Sequence, residues 1–424
     1  MRRIIFILIC LFIGLPLQAK PVEIVFWHSM AGHLGSELRV LINGFNQSQS
    51  DVSIKPIYKG DYIESLTSFA AAFRAHQPPG LIQVFEVGTA IMLMPKGIIK
   101  PVDELMKEQG LALPDADFFP AVRAYYSEQG NLVAMPFNTS VPAMFYNAEA
   151  LAEVGYLAGA FPKTWDELEI LAAKLKQAGF ACVYTSAYPA WVMVESFSAI
   201  HGLPMTDPIT KKAIYNNRHI IHHLTRLRRW QHLHYFEYGG RSDDATSLFT
   251  SGRCPLLSQS SGGYNGLSEL VPFPVGMAAI PLDTHASTKR FNNVAGGAAL
   301  WAVAGQTPMA YRGIARFYAY LAEPLVQERW YQNTGYLPLG VEGIYKHLGD
   351  KNKHPSLMLA KSEFEGNAVF TKFVRQGAQN QIRAINDEAL ETIFAGINSP
   401  KQAMDDAVAR ANHAQARFTR NTSD

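Results

Sequence analysis

Strands and amphipathic helices alternate along this sequence, its length exceeds what one core organises, and three loop-rich stretches interrupt the alternation. Together these predict an α/β protein of two lobes, each a doubly wound sheet and each discontinuous in sequence. Val22-Glu23-Ile24-Val25-Phe26-Trp27 reads as a strand, and Leu34, Leu38, Leu41, Ile42 and Phe45 recur on one helical face directly after it. Val52, Ile54 and Tyr58 alternate as a second strand. Leu66, Phe69, Ala70 and Phe73 mark a second helix, and Leu81-Ile82-Gln83-Val84-Phe85 a third strand. Repeated β-then-α units imply a parallel sheet. Ligands of such sheets sit outside the carboxyl ends of the strands, where Trp27, His28 and Glu86 fall.

Pro136-Phe137-Asn138-Thr139-Ser140-Val141-Pro142 separates two apolar strands, Leu132 to Met135 and Ala143 to Tyr146, and reads as a crossing between lobes. Thr164 with Glu167 forms a capping box opening a helix that closes at Gly179, and a strand from Phe180 to Thr185 follows. Further crossings fall near Gly296-Gly297-Ala298-Ala299-Leu300-Trp301 and Gly335-Tyr336-Leu337-Pro338-Leu339. One lobe then takes residues 20–138 and 296–340, the other 139–295 and 341–424. The chain ends in a helix capped by Ser399-Pro400, with Ala403, Ala407, Ala411 and Ala414 on one face.

The first nineteen residues pair Arg2-Arg3 with an apolar run from Ile4 to Leu15 and a small residue at Ala19, the pattern of a cleavable secretory signal. The alternative is a buried or amphipathic first helix. Cys10 follows Ile7-Leu8-Ile9 without the small residue that precedes a lipidated cysteine, so a free protein outside the cytoplasm is expected. The chain carries 38 basic and 36 acidic side chains, and removing Arg2 and Arg3 leaves no net charge. Without a basic field, a nucleic-acid partner is not expected. Cys182 and Cys254 could form one disulfide or remain two buried thiols. His219 and His223 are four apart on an expected helix, but no zinc-enzyme motif accompanies them, so they read as a solvated face beside a core stripe of Ile221, Leu224 and Leu227.

Seven motifs occur in order: Phe26-Trp27-His28-Ser29-Met30, Tyr58-Lys59-Gly60-Asp61-Tyr62, Glu86-Val87-Gly88-Thr89-Ala90, Pro162-Lys163-Thr164-Trp165, Ser260-Ser261-Gly262, Gly296-Gly297-Ala298 and Thr334-Gly335-Tyr336-Leu337-Pro338. With them the chain, from about residue 22 to its C-terminal helix, resembles the periplasmic sn-glycerol-3-phosphate-binding proteins of ABC importers, within the maltose-binding-type solute receptors. The resemblance implies the type II periplasmic-binding-protein fold and a monomeric, non-catalytic receptor without cofactor or metal. It implies closure on a phosphate ester and delivery to a permease and its ATPase at the inner membrane. Carried over by motif, the ligand contacts are Tyr62, Glu86 and Ser140, with Ser260, Gly297, Tyr336 and Arg383 on the far side. Where close relatives have a tryptophan against the glycerol part, this chain has Tyr188, which leaves glycerol 3-phosphate and a diester such as glycerophosphocholine both open.

The residue types suit such a ligand. A phosphate leaving water needs charge compensation and several donors, which Arg383, the hydroxyls of Ser140, Ser260 and Tyr336, and the Gly297 amide can supply. Buried charge-assisted bonds contribute roughly 1.5 to 3 kcal/mol each. Glu86 suits glycerol hydroxyls rather than phosphate, and Tyr62 and Tyr188 offer flat walls. Taken alone, Arg383 reads as a surface or lobe-bracing ion pair, Tyr62 and Tyr336 as core or rim, and Ser140, Ser260 and Gly297 as turn residues. Glu86 stands out because a carboxylate ending an apolar strand is costly without a purpose. A receptor for a neutral sugar and an exported glycerophosphodiester hydrolase are the competing functions. The hydrolase would need a metal set or an activated nucleophile, and no G-x-S-x-G elbow is present.

Overall fold

The computed structural model describes residues 20–94, 96–113, 118–157, 159–340, 355–364 and 377–422. The signal segment, residues 1–19, lies outside them. Two sheets organise the chain. The first contains β1 (Val22–His28), β2 (Val52–Tyr58), β3 (Leu81–Phe85), β6 (Met135–Pro136) and β11 (Ala298–Ala302) in the order β2-β1-β3-β11-β6. The second contains β7 (Pro142–Asn147), β8 (Tyr184–Ser186), β9 (Leu256–Ser260) and β10 (Val275–Ala279) in the order β10-β7-β9-β8. A hairpin of β4 (Ser127–Glu128) and β5 (Asn131–Leu132) stands apart.

Neither sheet is wholly parallel, which corrects the expectation from the β-then-α units. β1 runs parallel to β2 and β3, but β11 is antiparallel to both β3 and β6. In the second sheet β8 and β9 are parallel, and β7 is antiparallel to β9 and β10. The cause is the crossing. β3, β8 and β9 run toward the gap between the sheets, whereas β7 and β11 begin at it and run away. The crossing segments lie side by side, with bridges from Ser140 to Gly296 and from Thr139 to Leu337. Carboxyl ends of βα strands and amino ends of crossing strands therefore meet at one place.

The local signals were strong where apolar period and caps agreed. The first helix spans Gly32–Ser48 and buries Leu38, Leu41, Ile42 and Phe45. Asp61 and Glu64 form a capping box on helix Tyr62–Arg74, and Thr164 and Glu167 form one on helix Trp165–Gln177. Other boundaries moved. The Leu132 to Met135 stretch splits between β5 and β6, and β8 starts only at Tyr184, where it meets β9 over three residues.

Phe26, Ile82, Trp301 and Tyr318 belong to the first core, and Trp165, Leu227, Trp230 and Leu390 to the second. Alternate residues of β7 and β9 face opposite ways. Met144 and Leu256 enter the second core, while Phe145 and Leu257 join an apolar layer continuous with the first. Helix Arg218–His232 buries Ile220, His223, Leu224, Arg226, Leu227 and Trp230, so Leu224 and Leu227 face the core as expected and Ile220 takes the place of Ile221. His223 is not solvated: its ring stacks on Phe197 at 4.2 Å and meets Trp165 edge-on at 4.7 Å. Burial pushes it well below the ordinary histidine range, so it serves as a neutral core ring. Cys182 and Cys254 are joined in a disulfide. Among the described residues no helix is long and apolar enough to cross a membrane.

Candidate functional site

Glu86 follows β3 directly and is 7% exposed. Its amide donates to the Gly297 carbonyl at 3.0 Å, and its carbonyl accepts the Tyr125 hydroxyl at 2.8 Å. From the other sheet's side, helix Gln379–Phe394 presents Arg383, whose Nη1 donates to Glu86 Oε1 at 2.8 Å. The rest of the guanidinium fork is held by Glu195, Nε to Oε1 at 2.9 Å and Nη2 to Oε2 at 2.6 Å, and Gln379 donates to the same Oε1 at 3.1 Å. A bidentate pair of this kind fixes the plane of the guanidinium as well as its position. Beside the triad is a cavity about the size of one water molecule, lined also by Val87, Tyr125, Val294 and Ala295.

The charges there are not at ease. Burial raises the Glu86 carboxyl above its ordinary value, against the pull of Arg383, and Glu195 pushes the same way as burial. One turn beyond Arg383, Asp387 Oδ1 accepts the Ala190 amide at 3.1 Å, and burial pushes its carboxyl up to about 6.

An uncharged chain leads to Tyr62. The Ser29 amide donates to Gln83 Oε1 at 2.9 Å, Gln83 Nε2 to Asn138 Oδ1 at 2.9 Å, and Asn138 Nδ2 to the Tyr62 hydroxyl at 3.0 Å. The Tyr62 ring lies parallel to Phe85 with centroids 5.3 Å apart, which ties it to the strand that ends at Glu86. Burial, then Tyr336, pushes the Tyr62 phenol well above its ordinary range, so it remains neutral. Tyr336 stacks on Trp330 and interacts with Asn138 as well.

The remaining expected residues stand around these two groups. Ser140 is buried and exchanges backbone hydrogen bonds with Gly296. A Cβ on Gly296 would lie 2.3 Å from Trp191 Cζ2 and 3.1 Å from the Ser140 hydroxyl, so glycine admits Trp191 to this wall. Gly297 has φ +88°, and a Cβ there would sit 1.8 Å from the Asn138 carbonyl, so the crossing itself demands glycine. Tyr188 is 38% exposed, has φ 48° and meets Trp191 edge-on. Ser260 is the least directly connected. Its hydroxyl accepts the Gly262 amide at 3.3 Å, and Gly262 abuts Tyr336.

Trp27 lies under Lys59 Nζ at 4.0 Å, and the buried His28 accepts the Met30 amide at Nδ1. Burial, with Arg39 adding to it, lowers His28 to about 4, so this ring is a neutral structural acceptor. Glu195, Asn138, Trp191 and Asp387 were not singled out from the sequence. Glu195 carried a signal: it is a lone carboxylate in the apolar run Trp191-Val192-Met193-Val194-Glu195-Ser196-Phe197, and it is fully buried within a π-helical segment, Ala190–Ser196. π-helical turns concentrate at functional sites.

The profile of bacterial extracellular solute-binding proteins matches residues 41–344. The sn-glycerol-3-phosphate-binding periplasmic protein UgpB of Escherichia coli O1:K1 is 37% identical over 428 residues, covering 97% of each chain. Among solved structures, UgpB from Mycobacterium tuberculosis, in complex with glycerophosphocholine, superposes with a TM-score of 0.77 at 20% identity, covering 94% of this chain and 99% of that one. The GacH receptor of Streptomyces glaucescens gives 0.75 at 16% identity, covering 93% and 99%. The fold is thus that of the two-lobed, maltose-binding-type receptors. The chain belongs to the bacterial extracellular solute-binding proteins, in the branch that holds the sn-glycerol-3-phosphate-binding periplasmic proteins.

Proposed function

We propose that this protein is a periplasmic receptor that captures sn-glycerol 3-phosphate or a glycerophosphodiester such as glycerophosphocholine between its lobes and delivers it to an ABC importer. The observation that carries the reading is Arg383, a mostly buried guanidinium at the junction of the lobes, fixed by Glu195 and shared with Glu86. Membership of the family and the ligands of the UgpB relatives support it. Opening of the lobes parts Glu86 from Arg383, and the phosphate takes the freed Nη1 face. Ser140, Ser260, the Gly297 amide and Tyr336 complete its donors, while Tyr62, Tyr188 and Trp191 wall the other end. Export by the N-terminal signal and release as a free monomer fit this role.

Isothermal titration of the mature protein with glycerol 3-phosphate and with glycerophosphocholine tests it, with saturable binding of at least one expected. No heat with either ligand would sink the assignment. Arg383→Ala separates a phosphate ester from a neutral sugar, which would lose far less affinity. Incubation with glycerophosphocholine should release no choline, and turnover would favour a hydrolase instead.

A further inference from the structure

The charges that face the Arg383 guanidinium do not balance. Glu195 holds Nε and Nη2, Glu86 holds Nη1, and Asp387 stands one turn further along the same helix. Arg241 also acts on Asp387, but its Nε and Nη2 are engaged by Glu391 at 2.8 and 2.5 Å. Asp243 acts on Tyr188 from the rim. The phenols Tyr62, Tyr125, Tyr126 and Tyr215 also stand near Glu86 or Glu195, and Arg410, which acts on Tyr215, is held by Glu388. Among the described residues, the one Arg383 cation therefore faces three carboxylates, Glu195, Glu86 and Asp387, where an anionic ligand would reach it.

Such a surplus of acid penalises each negative charge a ligand brings, and the penalty grows in a closed, poorly solvated cleft. A phosphodiester carries one charge at any pH near neutrality, whereas a phosphomonoester carries nearly two above its second pKa of about 6. Resting on the phosphate-ester reading above, we infer that the cleft selects by phosphate charge, taking a glycerophosphodiester monoanion over a phosphomonoester dianion, and that Glu195 sets the preference. Glu195 is suited to this because it is fully buried, cancels the Arg383 charge through both fork nitrogens and leaves only Nη1 to share. Burial raises the Glu86 carboxyl against the pull of Arg383, and the Glu195 charge adds to the rise.

Calorimetry on the wild-type protein with sn-glycerol 3-phosphate and its methyl ester, the smallest diester, compares the two charge states on almost the same shape. At pH 8 the methyl ester should bind at least about tenfold tighter. At pH 5, where the monoester has gained its second proton, the two should fall within about threefold. Asp387 titrates in the same window but acts on both ligands, so the ratio of affinities is the readout. Glu195→Gln should narrow the ratio at pH 8. A Glu195 that only positions Arg383 would weaken both ligands equally, and an unchanged ratio would remove its assigned role. Equal or tighter binding of the dianion at pH 8 would overturn charge selection, whether or not the variant folds. Binding of neither ligand would instead overturn the phosphate-ester reading, and this inference with it.

Discussion

Arg226 and Arg383 each hold a buried carboxylate, yet Asp283 and Glu86 titrate in opposite directions. Arg226, from helix Arg218–His232, donates to Asp283 Oδ2 at 2.7 Å and to Asp166 at 3.3 Å, all within the second lobe. His201 Nε2 accepts the Asp283 amide at 2.7 Å, and His222 and His285 approach its carboxylate from the exposed side at 3.6 and 3.3 Å. Burial opposes the Asp283 charge, but Arg226 outweighs it, and the carboxyl is pulled down to about 2. Around Arg383 the balance tips the other way: Glu86 and Asp387 are both raised. A brace inside one lobe never has to open, so its ion pair can be fully compensated. A pair across a cleft must part to admit a ligand, and a strained carboxylate makes parting easier. The direction of the shift, rather than the presence of a buried ion pair, separates the two roles.

The sharpest way to break this contrast is to remove one partner of the brace. Asp283→Ala leaves the buried Arg226 guanidinium with only the exposed Asp166 as a carboxylate partner, and should cost about 3 to 5 kcal/mol of stability in urea unfolding. Affinity of the protein that remains folded should not change. A loss below about 1 kcal/mol, or a shift in affinity, would mean the brace is no brace. Next in size is Arg383→Lys, which keeps the charge and abandons the planar fork held by Glu195. Calorimetry should show affinity falling about 10- to 100-fold, or about 1.4 to 2.7 kcal/mol. An affinity within about twofold of wild type would remove Arg383 from the site.

The pH dependence of stability tests both arginine environments at once. Asp283 is lowered from its ordinary 3.8 to about 2. Its contribution, about 2 kcal/mol, is therefore complete above pH 4 and lost as pH falls toward 2. Asp387 is raised to about 6, so the folded state holds a proton that the unfolded chain has released. Its charged form then costs stability above pH 6, and the cost disappears as pH falls from 6 to 4. Asp387→Asn should accordingly raise stability on the order of 2 kcal/mol at pH 7.5 and leave it unchanged at pH 4. Urea midpoints across pH 3 to 8 for both variants and the wild type decide the matter. A stabilising effect of Asp387→Asn that persists at pH 4 would mean its cause is not the carboxylate charge.

Much of this architecture was legible in the sequence because local signals agreed with the tertiary result. The capping boxes at Asp61 and Thr164 and the apolar face of helix Gly32–Ser48 each show one physical preference that nothing else contests. The antiparallel sense of β7 and β11 was not legible, because strand direction depends on which side of the crossing the chain enters. The motifs named residues that come together around the crossing, but not the pairing among them. Glu86 and Arg383 are nearly three hundred positions apart in sequence and meet only where the two lobes adjoin. Glu195 was hidden for a related reason. A carboxylate in an apolar helix reads as an anomaly until the arginine that neutralises it is found on another helix. Gly297 was expected for the room it gives a ligand, and the crossing backbone turned out to need that room itself.

The smallest effect belongs to the uncharged wall. Tyr62→Phe keeps the stack on Phe85 but removes the hydroxyl that accepts Asn138 Nδ2, the last link of the chain from Ser29 through Gln83. Asn138 is fully buried and keeps its Gln83 and Tyr336 partners but loses this one, so stability should fall by about 1 kcal/mol. Affinity should fall about three- to fivefold, since the ring remains in place and only one neutral hydrogen bond is at stake. Loss of a charged contact at this wall would be larger and would depend on salt, whereas loss of a neutral one should not. Titrations of the variant at low and high ionic strength therefore distinguish the two walls. A salt-dependent loss beyond about tenfold would place the anionic end of the ligand at Tyr62 and reverse the orientation assigned to the cleft.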